Sequence, residues 1–209
     1  MDIKSYCHTG CMGSGKTGEL IRACNLHLRA GRNIIVFRPQ IDNRLPEGTL
    51  KDKNGMEFKG LVLTVKDSQE VLVIALREKL RALGVDEGQF FDPLLAKVLE
   101  QLAGEGIICT YAGLDTDYIG RAFPTTKEVL CSPEIKVFRW KAICDSCGSN
   151  ATRSIKRLND HRIVTPEMDS ELIEIGEGQY NSVCYVCFME AMKGTLSEEK
   201  LIKLINKNN

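Results

Sequence analysis

Eight residues near the start constrain this chain more than any others: Gly10-Cys11-Met12-Gly13-Ser14-Gly15-Lys16-Thr17. A short, partly apolar run (Ile3, Tyr6, Cys7) precedes them. After them Leu20, Ile21, Ala23, Cys24, Leu26 and Leu28 recur at helical spacing until Gly31 stops the helix. Asn33 to Arg38 is a β-branched run closed by Pro39, the pattern of a buried parallel strand. The chain therefore opens as strand, glycine loop, helix, strand, a βαβ unit. Glycines let successive backbone N–H groups converge on phosphate oxygens, and the following helix adds its positive end. Lys16 supplies a point charge to the β- and γ-phosphates, and Thr17 a hydroxyl for Mg²⁺. In this context the motif predicts binding of a nucleoside triphosphate and leaves the reaction open.

The rest of the chain alternates in the same manner. Residues 45 to 60 are polar, with a hairpin turn predicted at Lys53-Asn54-Gly55. Strands are predicted at Leu61 to Val65, Ile107 to Tyr111 and Lys136 to Ile143. Ser68 caps a helix running to about Leu80, and further helices span Pro93 to Ala103 and Ser197 to Ile205. Ala82 to Val85 is a weak strand, broken by Gly84, but Asp86 and Glu87 follow it. An acidic residue at such a strand end can hold Mg²⁺, and a second beside it can take a proton from an attacking hydroxyl or water. Adjacent residues on a strand point in opposite directions, which would separate the two roles. A solvated acidic turn is the alternative. Asp42 and Arg44 form a further charged pair at a sheet edge, where a plain surface turn is the other reading. The alternation implies an α/β parallel sheet. We divide the chain into a nucleotide-binding domain (1–143), a cysteine-bearing domain (144–190) and a terminal helix and tail (191–209).

Nine cysteines, an odd number and mostly scattered, read as reduced thiols in a cytoplasmic protein. Four are paired in sequence, Cys144-Asp-Ser-Cys147 and Cys184-Tyr-Val-Cys187. Two Cys-x-x-Cys pairs suit a tetrahedral, structural zinc site, with a redox pair or reduced bystanders as rivals. The metal would clip the base of a long loop, roughly 148 to 183, poor in large apolar residues. The other cysteines are expected to be inert packing. Lys plus Arg number 28 and Asp plus Glu 28, and a balanced charge argues against a broad nucleic-acid surface. No apolar run approaches the roughly 18 residues that cross a bilayer, and no signal core opens the chain. No membrane partner and no export are expected.

Taken in order, these landmarks resemble one family, the type II thymidine kinases, from Tyr6 to about Phe188. The resemblance rests on Gly10–Thr17, Asp42-Asn-Arg44, Asp86-Glu-Gly-Gln-Phe-Phe91, Gly113-Leu-Asp-Thr-Asp-Tyr118, Arg121-Ala-Phe123, both cysteine pairs and Tyr180-Asn-Ser-Val-Cys184. It implies a RecA-like P-loop NTPase sheet with a small C-terminal zinc-binding lasso, and phosphorylation of the thymidine 5′-hydroxyl by ATP. Deoxyuridine is a further candidate substrate. Residues Gly10, Cys11, Met12, Gly13, Ser14, Gly15, Lys16 and Thr17 would cradle phosphate, with Asp42, Arg44, Asp86 and Gln89 around the nucleotide. Thr17, Asp42 and Asp86 would lie near Mg²⁺, directly or through water, and Glu87 would be the general base. Met12, Phe90, Leu114, Tyr118 and Phe123 would wall the thymine pocket. Ser154 and the backbone of Leu172, Ile173, Glu174, Ile175 and Gly176 would read the base edge, with Tyr180 closing over it. Cys144, Cys147, Cys184 and Cys187 would hold Zn²⁺. The resemblance also implies a homotetramer and feedback by dTTP. Gly13 stands where the family has a larger residue, and Tyr118 where phenylalanine is common.

Two other functions are weighed against this one. Asp-Glu-x-Gln also occurs in nucleic-acid-dependent ATPases, but the chain has no room for a second motor domain. A catalytically inactive, nucleotide-binding zinc protein would not need Lys16, Thr17, Asp86 and Glu87 together.

Overall fold

The computed structural model describes residues 4–44, 46–168 and 179–207. The elements, in order, are β1 (Ser5–Gly10), α1 (Lys16–Arg29), β2 (Ile34–Pro39), β3 (Leu61–Val65), α2 (Ser68–Arg77), β4 (Ala82–Val85), α3 (Leu95–Gly104), β5 (Ile108–Leu114) and α4 (Pro124–Cys131). There follow β6 (Ile135–Trp140), β7 (Ala142–Ile143), β8 (Asn150–Ala151), β9 (Arg153–Arg157), β10 (Gln179–Val183), α5 (Tyr185–Met192) and α6 (Glu198–Asn206). A short 3-10 turn, Gly88–Phe90, leaves β4.

The chain folds as two compact units. The first comprises Met1–Thr9, Gly15–Leu114 and Pro124–Arg139; the second comprises Gly10–Ser14, Asp115–Phe123 and Trp140–Asn209. The division falls inside the glycine loop, between Ser14 and Gly15.

In the first unit the sheet order is β3-β2-β4-β5-β1-β6. β2 runs parallel to both β3 and β4, and β4 parallel to β5. Every residue of β2 and of β4 is buried, as strands covered on both faces must be. Their side chains alternate between two apolar clusters. Ile35, Phe37, Leu83 and Val85 join residues of α2, α3 and α4. Ile34, Val36 and Ala82 join Leu20, Ile21 and Cys24 of α1 with Leu50 and Phe58. A period of two thus seats helices on both faces of one sheet.

The second unit is smaller. β9 and β10 pair antiparallel, as do β7 and β8. Its core contains Cys11, Ala151, Ile155, Val183, Phe188 and Leu204, with Cys144 and Cys187 among them. Arg157 is fully buried there, bonded to neutral acceptors on Asn181, Gln179 and Leu204.

The α/β class expected from the sequence is the one observed, and Leu61–Val65 and Ala82–Val85 are strands at the anticipated residues. Local details differ. Asp67, not Ser68, caps α2, accepting from Glu70 N–H at 2.9 Å. The Glu70 carboxylate answers by accepting from Lys66 N–H, and Ser68 instead donates from both N–H and hydroxyl to Asp92. The long strand anticipated at 136–143 is divided into β6 and β7. Helices α4 and α5 were not anticipated: neither run has a strong apolar period, and α4 opens on a proline, a favoured first helical residue. The turn at 53–55 closes a bridge between Lys51 and Glu57, as expected. Cys131 is exposed, unlike the packing role expected of it. Among the described residues no helix is long and apolar enough to cross a membrane.

Gly84 weakened the sequence signal of β4 for a packing reason. A Cβ there would lie 2.8 Å from Cys24 Sγ, 3.0 Å from Val36 Cγ2 and 3.1 Å from Leu20 Cδ1. Gly84→Ala is therefore expected to overpack the α1 face of the sheet and lower stability by about 1–3 kcal/mol. A shift of the urea midpoint at constant slope measures this, and an unchanged midpoint would contradict it.

Candidate active site and metal centre

Parallel strands end on one side of a sheet, so the residues after β2 and β4 share that side. Phe37 is the register partner of Val85. The ladder continues one residue further, with Asp86 N–H donating to the Phe37 carbonyl at 3.0 Å. Asp86 is 5% exposed and accepts from Thr17 Oγ1 at 3.1 Å. That bond ties the end of the glycine loop to the acidic pair. Burial, and then the charge of Glu87, push the Asp86 carboxyl up to about 7, against the donors Thr17 and Glu87 N–H and the charge of Arg38. A cation bound beside Asp86 would favour its ionised form, so this donor set fits a hard metal ion.

Glu87 leaves the strand at φ 49° and ψ 38°. Strand alternation was expected to separate the two carboxyls; the left-handed turn does so instead, at a cost of order 1–3 kcal/mol for a residue with a Cβ. Both Glu87 oxygens are held. Oε1 pairs with Arg44 Nη2 at 2.5 Å, and Oε2 accepts from Gln89 Nε2 at 2.6 Å. Gln89 is buried, and its Oε1 accepts from Leu114 N–H at 3.0 Å, which fixes the direction of its amide.

Arg44 reaches back to Asp42, Nε to Oδ1 at 2.6 Å, and the other Asp42 oxygen pairs with Arg38 Nη2 at 3.0 Å. Arg38, Asp42, Arg44 and Glu87 thus form a row of alternating sign. Burial pushes the Asp42 carboxyl upward, but the hydrogen bonds and charges of Arg44 and Arg38 outweigh it and hold the group below the usual carboxylate range. The first unit therefore brings Thr17, Asp42, Arg44, Asp86, Glu87 and Gln89 into one connected group. Gly15 stands at the N-cap of α1 with φ 88° and has no side chain with which to cap it. The helix thus opens, with Lys16, on N–H groups suited to an anion. Phe90 and Leu114, both half-buried, belong to this unit as well.

In the second unit, Asp117 organises the loop 115–123. Its carboxylate accepts from the N–H groups of Ile119 and Arg121 and from Arg121 Nε. Thr116 and Ala122 bridge across the loop, and Phe123 N–H donates to the Asp115 carbonyl. Tyr118 is buried, meets the Tyr180 ring edge-on at 6.1 Å, and carries the Lys156 ammonium 5.5 Å above its own ring. Ser154 Oγ accepts from Met12 N–H at 3.0 Å. Cys11 is buried, its thiol 3.5 Å from the Ala151 carbonyl. Ser14 is buried as well, while Gly13 is exposed. Leu172, Ile173, Glu174, Ile175 and Gly176 lie outside the described residues.

The sulfur atoms of Cys144, Cys147, Cys184 and Cys187 lie within 4.8 Å of one another, positioned to bind a metal ion. Cys147 and Cys184 are 3.7 Å apart, the edge of a tetrahedron with metal–sulfur bonds of about 2.3 Å. A tight turn presents the first pair, Cys144 N–H donating to the Ser149 carbonyl and Gly148 N–H to that of Cys144. Cys184 caps α5, its sulfur accepting from Cys187 N–H at 3.5 Å. Donors on Ser149 pull the Cys147 thiol down to about 6.

Several residues of these groups were not singled out from the sequence. Arg38 had a readable signal, a charge closing an apolar β-branched run four residues before Asp42. Lys156 and Asp145 had none, since each acts through partners far along the chain.

The sequence was compared with known proteins. It matches the family model for thymidine kinase over residues 4–188. The thymidine kinase of Mycoplasma capricolum is 35% identical over 190 residues, covering 88% of each chain. That of Thermococcus kodakarensis is 35% identical over 178 residues, covering 84% of this chain and 89% of its own. That of Mesoplasma florum is 33% identical over 183 residues, covering 86% and 88%. With a match of this extent, and with the glycine loop, acidic pair and cysteine quartet in place, the chain belongs to the thymidine kinase family.

Proposed function

We infer that this chain transfers the γ-phosphoryl group of ATP to the 5′-hydroxyl of thymidine, in nucleotide salvage. The family match supports the activity, and the hydrogen bond from Thr17 to Asp86, joining the phosphate loop to the acidic pair, is the observation that carries the mechanism. The amides of the glycine loop and Lys16 bind the β- and γ-phosphates. Glu87 accepts the proton of the 5′-hydroxyl as that oxygen bonds to the γ-phosphorus and the bond to ADP breaks. Arg44, already shared between Asp42 and Glu87, donates to the oxygens of the group in transfer. Gln89 holds the base in its rotamer.

Mg²⁺ accompanying ATP would neutralise charge on the β- and γ-phosphates. Thr17 and Asp86 would hold it. Both Asp42 oxygens already accept from arginines, so Asp42 acts through water. Met12, Tyr118, Phe123, Ser154, Tyr180 and the backbone of 172–176 are assigned to thymine, as are Phe90 and Leu114. The four cysteines hold Zn²⁺ as a closed, structural site, since four thiolates leave no position for water. The reading extends to a cytoplasmic homotetramer inhibited by dTTP. A nucleic-acid-dependent ATPase is not favoured by the family match, and the intact row Lys16, Thr17, Asp86 and Glu87 speaks against an inactive relative.

Purified chain with ATP, Mg²⁺ and a panel of nucleosides is expected to yield thymidine monophosphate. Glu87→Gln is expected to lower kcat by about 10²–10⁴ while ATP still binds. Turnover at the wild-type rate in that variant would remove Glu87 as the base. Metal analysis of the freshly purified chain is expected to give about one zinc per chain, and Cys147→Ser a protein that loses it. A fully active, zinc-free preparation would refute the structural assignment.

A further inference from the structure

The second unit holds a hydrogen-bond chain whose members Ser182, Asp145 and Lys207 have no part in the proposed chemistry. Met12 lies within the glycine loop, and one hairpin grips its backbone at two points. Its N–H donates to Ser154 Oγ on β9 at 3.0 Å, and its carbonyl accepts from Ser182 Oγ on β10 at 2.5 Å. Ser154 and Ser182 are register partners across the antiparallel ladder, so their hydroxyls stand side by side on one face. Both are more than nine-tenths buried, at 3% and 8% exposure.

Ser182 is itself held by a residue of the cysteine turn. Its N–H donates to Asp145 Oδ2 at 2.9 Å, and its carbonyl accepts from Asp145 N–H at 2.8 Å. Asp145, between Cys144 and Cys147, also accepts from Asn181 Nδ2 at 3.2 Å and pairs with Lys207, just beyond α6, at 2.5 Å. The row Lys207, Asp145, Ser182, Met12 runs from the C-terminal helix through the sulfur cluster's turn to the phosphate loop.

We propose that Ser182 is a positioning residue for the nucleotide phosphates, setting the orientation of the Met12–Gly13 peptide, with Asp145 holding Ser182 in place. This rests on the reading of the loop as the ATP site. A trans peptide is planar, and its C=O and N–H point in opposite directions; among the described residues no peptide is cis. With the Met12 carbonyl tied to Ser182, the Gly13 N–H faces away from the hairpin, free to serve phosphate. Were the peptide to flip, it would turn a carbonyl oxygen toward the anion. Because Ser154 takes the Met12 N–H, the loop's phosphate donors begin at Gly13. Gly13 sits at φ +71°, and a Cβ there would come within 3.2 Å of Ser182 Oγ. Glycine thus admits both the turn and the bond.

The test is the affinity of the zinc-loaded full chain for ATP and ADP, measured calorimetrically for wild type, Ser182→Ala, Ser182→Thr and Asp145→Asn, with metal content determined on each. Ser182→Ala is expected to bind both nucleotides about ten-fold more weakly while keeping its zinc. Ser182→Thr retains the hydroxyl and is expected to restore affinity; Asp145→Asn should weaken it in the same direction. Wild-type affinity in Ser182→Ala would overturn the proposal. So would a loss of affinity that travels with loss of zinc and is not restored by threonine, because the serine would then be scaffold alone. If wild type bound neither nucleotide, the assignment of the loop itself would fall, a result distinguishable from either of these.

Discussion

Charge in a poorly hydrated place must be answered by charge, and the row Arg38, Asp42, Arg44, Glu87 is how this fold meets that demand at the end of its sheet. Arg38 and Asp42 are almost fully buried, with side chains 1% and 3% exposed. A buried pair of this kind adds little net stability, because desolvation offsets the attraction, but removing one partner strands the other. Its contribution is order. Asp42, fixed by Arg38 from behind, presents its other oxygen to Arg44, and Arg44 in turn orients Glu87. Asp86 is different. The charge of Arg38 draws it down only weakly, so burial and the neighbouring carboxylate keep the group high. The same sheet end thus holds one carboxylate matched by arginines and one that a bound cation would match.

The second unit meets its demands by other means. Its apolar core is small, and two of the four clustered cysteines lie within it. A metal ion held by the four sulfurs would clip the chain between Cys147 and Cys184, removing freedom from a long segment at a closure cost that grows only slowly with length. A hairpin held this way can carry functional groups on its strands. Ser154 and Ser182 are such groups, and they fasten the first half of the glycine loop, while the second half opens α1 in the other unit.

How much of this was legible in the sequence depended on how local each cause is. The βαβ opening, the acidic pair and the cysteine spacing are local patterns, and the structure bears out the α/β class and the clustering of the four cysteines. Strand β4 was readable only through the residues after it, because Gly84 exists to admit Leu20, Val36 and Cys24, which no window around residue 84 contains. The cap of α2 was displaced by one residue because Asp92, 24 positions away, takes both hydrogen-bond donors of Ser68. Gln89 was read as a nucleotide contact, and the structure shows its amide bonded to Glu87 and Leu114. Asp145 hides between two cysteines, where any polar residue fits the motif.

Glu87 shows why the acidic turn had to be more than a sequence pattern. A left-handed residue with a side chain relaxes unless its surroundings over-determine it. Here they do. Thr126 Oγ1 donates to the Leu114 carbonyl at 2.7 Å, so the Tyr111 hydroxyl, 2.7 Å away, must donate to Thr126. Leu114 N–H then fixes Gln89, and Gln89 fixes the Glu87 carboxylate. Gly88 lies against the ring of the same tyrosine, where a Cβ would come within 2.1 Å of Cε2. The backbone beside Glu87 is therefore seated on Tyr111, and the Glu87 carboxylate is tied through Gln89 to the end of the strand that carries Tyr111. Strain held by one strand from two directions cannot relax without breaking this chain of hydrogen bonds, and that is what keeps the Glu87 carboxylate fixed despite its unfavourable backbone geometry.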